Sequence, residues 1–120
     1  MIALKFSPAD DIPPVPKGLS REAARWWRRL HSGYELADEG AQLLLETALQ
    51  ALDRMREARK VLDAEGLTVR DRFGQAKAHP LIVVERDSRA AMVAALKALN
   101  LSVEPLNDAP GRPPGSGKGG

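Results

Sequence analysis

One long stretch without proline constrains the fold of this chain more than any other feature. Between Asp38 and Gly66, leucine and alanine recur at three- and four-residue spacing. Aspartate is a favoured helix N-cap, and glycine readily ends a helix. The pattern therefore predicts a helix from near Asp38 to Glu65. Its apolar stripe is wide enough to pack on two neighbours, either within the chain or across a subunit boundary.

A shorter helix is predicted to begin at the N-cap Ser20. Its apolar face contains both tryptophans, Trp26 and Trp27, which we therefore expect to lie in the core rather than to stack on bases. The rest of this face consists of Ala23, Leu30 and Tyr34. This helix is the main aromatic contribution to the predicted core.

A third helix is predicted after Pro80, which suits the first turn of a helix. The run Leu81-Ile82-Val83-Val84 also allows a buried strand, because it is partly β-branched. The helical stripe continues without a break to Leu99, so we favour the helix. His79, just before this helix, is interpreted as a cap or a hydrogen-bonded packing residue rather than a catalytic base.

Residues 67–79 have a different pattern. Residues 67–73 alternate loosely, Gly74 supplies a turn, and residues 75–78 can form a returning strand. We predict a small β-hairpin that projects or pairs with another copy, because two short strands bury little surface by themselves. The predicted fold class is mainly α: a helical hairpin, a small β-hairpin and a C-terminal helix.

Proline and glycine mark the ends of the predicted domain. Residues 1–18 are predicted to be a flexible Pro-rich arm, residues 19–104 a helical oligomerisation and DNA-binding domain, and residues 105–120 a disordered Pro/Gly-rich tail. A core of this size is thin, so assembly with copies of itself is expected.

Composition excludes several classes of function. The 120 residues contain no cysteine and two histidines, and no apolar run approaches the length of a membrane span. We therefore expect a single soluble domain with no secretion signal, no metal, no cofactor and no catalytic activity. The pair Gly117-Lys118 is not a phosphate-binding loop, because Arg112 replaces the first glycine of that motif and Gly119 follows the lysine.

Basic residues are clustered although the net charge is only +2. One cluster lies on the first helix, opposite its apolar face, and the second lies on the predicted hairpin. Each can bind phosphate groups, or it can be a solvated surface, paired with acidic neighbours or protecting a strand edge. The predicted DNA-binding residues are Arg21, Arg25, Arg28 and Arg29 in the first cluster and Arg70, Arg72 and Lys77 in the second.

The order of several short motifs resembles the P27 family of phage terminase small subunits over about residues 16–106. The motifs are Pro16-Lys17-Gly18-Leu19-Ser20, Gly66-Leu67-Thr68-Val69, Phe73-Gly74-Gln75, His79-Pro80 and Leu96-Lys97-Ala98-Leu99-Asn100-Leu101. The resemblance implies recognition of viral double-stranded DNA, assembly into a homo-oligomeric ring in the host cytoplasm, and contact with a large subunit that has the ATPase and nuclease activities. The portal is a further expected partner of the tail.

Two other functions remain open at this point: a dimeric helical DNA-binding regulator and an adaptor that binds only proteins. A separate helix-turn-helix domain is not apparent, so binding through DNA shape or backbone is favoured. The predicted oligomer interface lies on the second and third helices. It consists of Leu45, Leu49, Leu52, Met55, Leu62, Val84, Met92, Leu96 and Leu99.

Overall fold

The computed structural model describes residues 12–100, which form three helices and one β-hairpin. In chain order these are α1 (Arg21–Gly33), α2 (Glu39–Glu65), β1 (Thr68–Arg70), β2 (Ala76–Ala78) and α3 (Leu81–Ala98). The mainly helical fold with a small hairpin is confirmed. The alternative strand at residues 81–84 is wrong, because this run begins α3. Most of the predicted arm and the whole tail lie outside the described residues.

The longest helix, α2, begins and ends where the sequence predicts. The carboxylate of Asp38 accepts a hydrogen bond from the backbone N–H of Ala41 at 2.6 Å, which satisfies a free donor of the first turn. At the other end Gly66 has a φ of +87°, and its N–H donates to the carbonyl of Leu62 at 2.8 Å. A side chain is disfavoured at that φ, so glycine is the residue suited to stop the helix here.

The apolar stripe of α2 is covered by the chain's own helices, α1 and α3, with α3 making the more extensive contact. The α2 residues predicted to form a subunit interface are less than a tenth exposed in the single chain; they are Leu45, Leu49, Leu52, Met55 and Leu62. Those predicted on α3 are partly buried, namely Val84, Met92, Leu96 and Leu99. The α2 positions thus belong to the core of one chain and have little surface to offer a second copy.

Directed polar contacts attach α1 to α2. Ser20 caps α1 by accepting from the N–H of Ala23 at 3.0 Å, as predicted. Asp53 of α2 receives both the backbone N–H and the hydroxyl of the same serine. The guanidinium of Arg56 binds the carboxylate of Glu22 through two hydrogen bonds, at 3.0 and 3.1 Å. These bonds fix the start of α1 near the middle of α2.

The described part of the Pro-rich segment, residues 12–18, contains neither helix nor strand. Ile12 and Val15 pack against the hydrophobic core. The indole N–H of Trp27 donates to the carbonyl of Pro13 at 2.9 Å, which satisfies the one polar atom of this buried ring. This segment is therefore part of the packed structure at least from residue 12.

His79 joins the end of α2 to the start of α3. Its side chain is buried, its Nδ1 accepts from the N–H of Leu81 at 3.1 Å, and its Nε2 lies 2.9 Å from a carboxylate oxygen of Glu65. An Nδ1 that accepts a hydrogen bond carries no proton, so the ring donates to Glu65 through Nε2–H. The prediction of a capping and packing histidine is confirmed.

The hairpin is antiparallel, with Val69 opposite Lys77, and most of its residues are exposed on both faces. It therefore projects from the helical core, as the prediction of a poorly buried hairpin allows. Within residues 12–100, no helix combines the length and the apolar character that a membrane span requires.

Candidate nucleic-acid interface

The strongest concentration of available positive charge lies on α1. Arginine side chains cover the face of this helix that points away from α2, and all of them are exposed; they are Arg21, Arg25, Arg28 and Arg29. Among residues 12–100, none of the four forms an ion pair with a carboxylate. We call this surface the cationic face of α1. Within residues 12–100 these arginines are therefore not held in salt bridges to an acidic helix, which was one alternative interpretation of the cluster.

The nearest carboxylate on α1 is engaged elsewhere. The hydrogen bond from Arg56 holds the pKa of Glu22 below its ordinary value, although partial burial opposes the shift, and the charge of Arg25 adds to it. Glu22 is therefore ionised near neutral pH, and its two oxygens face Arg56 of α2. Its carboxylate is paired with Arg56 and attaches α1 to α2, so the arginines of the cationic face remain available to an external anion.

Trp26 is not in the core, so that prediction is wrong. Trp26 is 40% exposed, whereas its neighbour Trp27 is only 3% exposed. Successive residues of a helix are about 100° apart, so only one of two adjacent tryptophans can face α2 directly. The guanidinium of Arg29 lies 5.6 Å from the centroid of the Trp26 ring. An exposed aromatic surface thus borders the cationic face.

The turn of the hairpin is organised by Asp71. Its Oδ1 accepts hydrogen bonds from the N–H groups of Phe73 and Gln75, at 2.8 and 2.9 Å. Gly74 has a φ of +82°, and its N–H donates to the carbonyl of Asp71 at 2.9 Å. Aspartate favours turns because its side chain bonds backbone donors a few residues ahead. The turn therefore has a defined shape despite its exposure.

The basic residues of the hairpin are partly used by the hairpin itself. Arg70 donates to the carbonyl of Gly74 at 2.6 Å, and the Lys77 ammonium lies 3.8 Å from Asp71. Arg72 lies over the ring of Phe73, 5.4 Å from its centroid, and Phe73 is 76% exposed. Arg72 and Phe73 are exposed at the turn, whereas Arg70 and Lys77 have partners within the hairpin, so the hairpin offers less free charge than α1 does.

The two basic clusters are separate in the fold. The first turn of α1 is bonded to Asp53, whereas the hairpin starts after Gly66. At about 1.5 Å of rise per residue, these two points of α2 are about 20 Å apart along its axis. The structure therefore presents two basic surfaces rather than one continuous patch.

Sequence reasoning missed two aromatic residues of these surfaces. Trp26 could have been found from its angle on the helical wheel, which lies between the apolar face and Arg29. Phe73 could have been found from its position beside the turn glycine, Gly74, where little of the chain is available to cover it. In both cases the pattern indicates apolar character correctly, and only the packing decides whether that side chain is covered.

Other chemistry is sparse in the described part of the chain. Residues 12–100 contain no cluster of three histidine or acidic side chains placed to hold a metal ion. Two further carboxylates, Glu85 and Asp63, pair with cations: Glu85 with Arg89 at 2.9 Å and Arg59 at 3.6 Å, and Asp63 with Arg59 at 3.9 Å. The hydrogen bond from Arg89 holds the pKa of Glu85 below its usual range. Two of these pairs join neighbouring turns of one helix, and the pair of Arg59 with Glu85 joins α2 to α3.

Comparisons with models of protein families, with curated proteins and with solved structures found no match to this chain. The site must therefore be interpreted from its own geometry and from the motifs of the sequence.

Proposed function

We propose that this chain is a non-catalytic small subunit of a phage terminase, which recognises viral double-stranded DNA and recruits and regulates the large subunit during genome packaging. In this proposal it acts in the host cytoplasm as a ring of identical copies. The motif order of residues 16–106 supports the family. The observation that carries DNA binding is the cationic face of α1, with its exposed arginines unpaired by carboxylates of the described chain.

The cationic face suits contact with the phosphate backbone. Guanidinium groups bind phosphate oxygens through paired hydrogen bonds, and the release of counterions from DNA favours the association. A protomer with a net charge of +2 binds weakly, so repeated copies along one duplex supply the affinity.

The test is the salt dependence of binding to labelled duplex DNA, measured by fluorescence anisotropy. The combined variant Arg25→Gln, Arg28→Gln and Arg29→Gln should bind more weakly. The slope of the logarithm of its binding constant against the logarithm of the salt concentration should become less steep by about 0.9 for each phosphate that the variant no longer neutralises. The matched control, Arg54→Gln, Lys60→Gln and Arg86→Gln, removes equal charge from exposed positions outside α1. An unchanged slope in the α1 variant, or equal weakening in both, would contradict the assigned face.

Native mass spectrometry of the full chain separates the proposed function from its alternatives. A ring of many copies supports the terminase proposal. A dimer that binds one short palindrome tightly indicates a DNA-binding regulator, and the absence of DNA binding at low salt indicates a protein adaptor. Removal of residues 105–120 should leave assembly intact and reduce stimulation of the large subunit; loss of assembly would contradict the role proposed for the tail.

A further inference from the structure

An apolar groove of about 450 Å³ lies between α1 and α3. Its floor is α2, with Ala48, Leu49 and Leu52. Its two walls are apolar side chains, and two cations, Arg56 and Lys97, complete the lining. The apolar residues of the walls are Trp26 and Leu30 of α1 and Met92, Val93 and Leu96 of α3.

This groove leaves apolar side chains in contact with solvent within the described chain. Trp26 is 40% and Val93 is 46% exposed. Concave surfaces with an apolar lining and a few polar groups are typical of sites that accept another group. Of the two cations, Arg56 is held by Glu22, whereas Lys97 has no carboxylate partner among residues 12–100. The expected occupant is therefore apolar and carries negative charge near Lys97.

The chain leaves α3 beside this groove. Asn100 has a φ of +61°, and its N–H donates to the carbonyl of Lys97 at 2.9 Å. A residue in this left-handed conformation turns the chain away from the helix axis. Leu96 and Lys97, which line the groove, lie within one turn of that exit. Asn100 therefore lies within about one helical turn of the groove, while Ala98 and Leu99 line a separate cavity with Leu36 and Leu44.

Residues 101–108, which follow Asn100, combine apolar and acidic side chains, as expected for an occupant of the groove. Leu101, Val103 and Leu106 are apolar, and Glu104 and Asp108 are acidic. Met92 lies about 12 Å back from Asn100 along α3, at about 1.5 Å per residue. An extended chain covers about 3.3 Å per residue, so about four residues reach the level of Met92. Residues 101–108 are long enough to follow the whole groove.

The segment that precedes Ile12 starts from a different place. Ile12 lines a separate cavity with His31 and Tyr34, and neighbouring Pro13 is bonded to the indole of Trp27. Neither Ile12 nor Pro13 lines the groove beside Trp26. The segment after α3 therefore follows directly on residues that line the groove, whereas the segment before Ile12 does not.

We propose that residues 101–108 of the same chain pack into the groove between α1 and α3, with their apolar side chains against Trp26, Val93 and Leu96 and an acidic side chain near Lys97. A segment tethered this closely has an effective concentration of about 1 mM, so a weak intrinsic affinity is enough to hold it. The same segment added as a free peptide binds only weakly. This proposal does not depend on DNA binding or on the terminase assignment.

The experiment uses the full chain, which has no native cysteine. A nitroxide, a contact quencher of tryptophan fluorescence, is attached to Ser102→Cys, and the matched control carries it on Ser116→Cys. The Trp26→Phe variant identifies the part of the emission that comes from Trp26. We expect the label at residue 102 to lower Trp26 emission by about twofold or more, as for a tethered segment that occupies its site most of the time. The control label should have little effect.

Two further measurements identify the occupant. Dilution of the labelled chain into excess unlabelled chain should leave the quenching unchanged, because the contact lies within one chain. The full-length variant Leu101→Ser, Val103→Ser and Leu106→Ser should lose the quenching while keeping its helical circular dichroism. Quenching that falls on dilution would show that the groove binds a second copy. Equal quenching by both labels would overturn the proposal, and so would no quenching by either label. The proposal would also be overturned if Trp26 became shielded from solvent only after DNA is added.

Discussion

The two sides of α2 are held by different means. Towards α1, the packing includes one large buried side chain, Trp27, and directed bonds such as those of Asp53 with Ser20. Towards α3, contact is more extensive, and small buried residues recur seven residues apart on each helix, as Ala51 and Ala58 on α2 and as Ser88 and Ala95 on α3. We call these four residues the small-residue seam.

The two helices that flank α2 differ in the size of the side chains that they bury. Small side chains let two helices approach closely along their length, and the contact between α2 and α3 is the more extensive of the two. Both flanking helices have two buried residues, but on α1 one of them is the large side chain of Trp27, whereas on α3 both of them, Ser88 and Ala95, are small. The opposite side of α1 is then left to exposed arginines, while its start is fixed by Asp53 and Arg56.

The largest expected loss of stability tests whether the packing of α1 on α2 depends mainly on Trp27. Trp27→Ala should lower the free energy of unfolding by about 3–5 kcal/mol, because it removes a buried ring and leaves a cavity. Trp26→Ala is the matched control, and it should cost about 1 kcal/mol because Trp26 is 40% exposed. Urea unfolding followed by circular dichroism measures both. Similar destabilisation of the two variants would show that stabilisation is not concentrated in Trp27.

A smaller loss of stability is expected from a substitution in the small-residue seam. Ala95→Leu should lower the free energy of unfolding by about 1–3 kcal/mol, because the added carbons must separate two closely packed helices. The neighbouring Ala94→Leu makes the same change on an exposed position of α3 and should be nearly neutral. Thermal unfolding of both variants distinguishes them. A neutral Ala95→Leu would indicate that the seam has free space and that close approach is not what holds α3.

The smallest expected effect is a pH dependence on the α1 side. The ring of His31 packs against Trp27 with centroids 4.5 Å apart, and burial lowers the pKa of His31 from its ordinary value of 6.5. The unfolded chain therefore binds this proton first as the pH falls, so stability is full above about pH 6.5 and decreases below it. Glu22, whose pKa is also lowered, adds a loss of stability only below its ordinary value of 4.5.

We expect the melting temperature to fall between about pH 7 and about pH 5, and the fall to be smaller in His31→Phe, which keeps an aromatic ring against Trp27. Scanning calorimetry across this range measures the dependence. His79→Phe is not a suitable control, because the side chain of His79 caps α3. An identical pH dependence in the parent chain and in His31→Phe would assign the effect to other groups.

Local signals predicted most of the fold. Ser20, Asp38, Gly66 and Pro80 mark helix ends, and the structure places α1, α2 and α3 next to them. Gly74 marks the turn of the hairpin. These signals act through the backbone within a few residues, so they can be interpreted without knowledge of the packing. The same reasoning predicted that the arginines of α1 face away from the core, and they are exposed.

The burial of particular side chains was less predictable. The sequence indicates that Leu45 and Leu49 are apolar but does not say whether a helix of the same chain or a second copy covers them. The structure covers both within one chain. Likewise Trp26 and Trp27 have identical chemistry, and a rotation of about 100° puts only the second in the core. The partner of Arg56, Glu22, lies 34 residues away in sequence and follows from the docking of α1 on α2.

The sequence by itself determined where the helices and the hairpin begin and end and which face of α1 carries the arginines, because caps, glycine conformations and helical periodicity are local. Only the tertiary structure decided that α2 is buried by its own chain, that Trp26 is left beside an open groove, and that Glu22 is engaged by Arg56. Those outcomes depend on which helix packs against which, and contacts between distant segments have no local signature in the sequence.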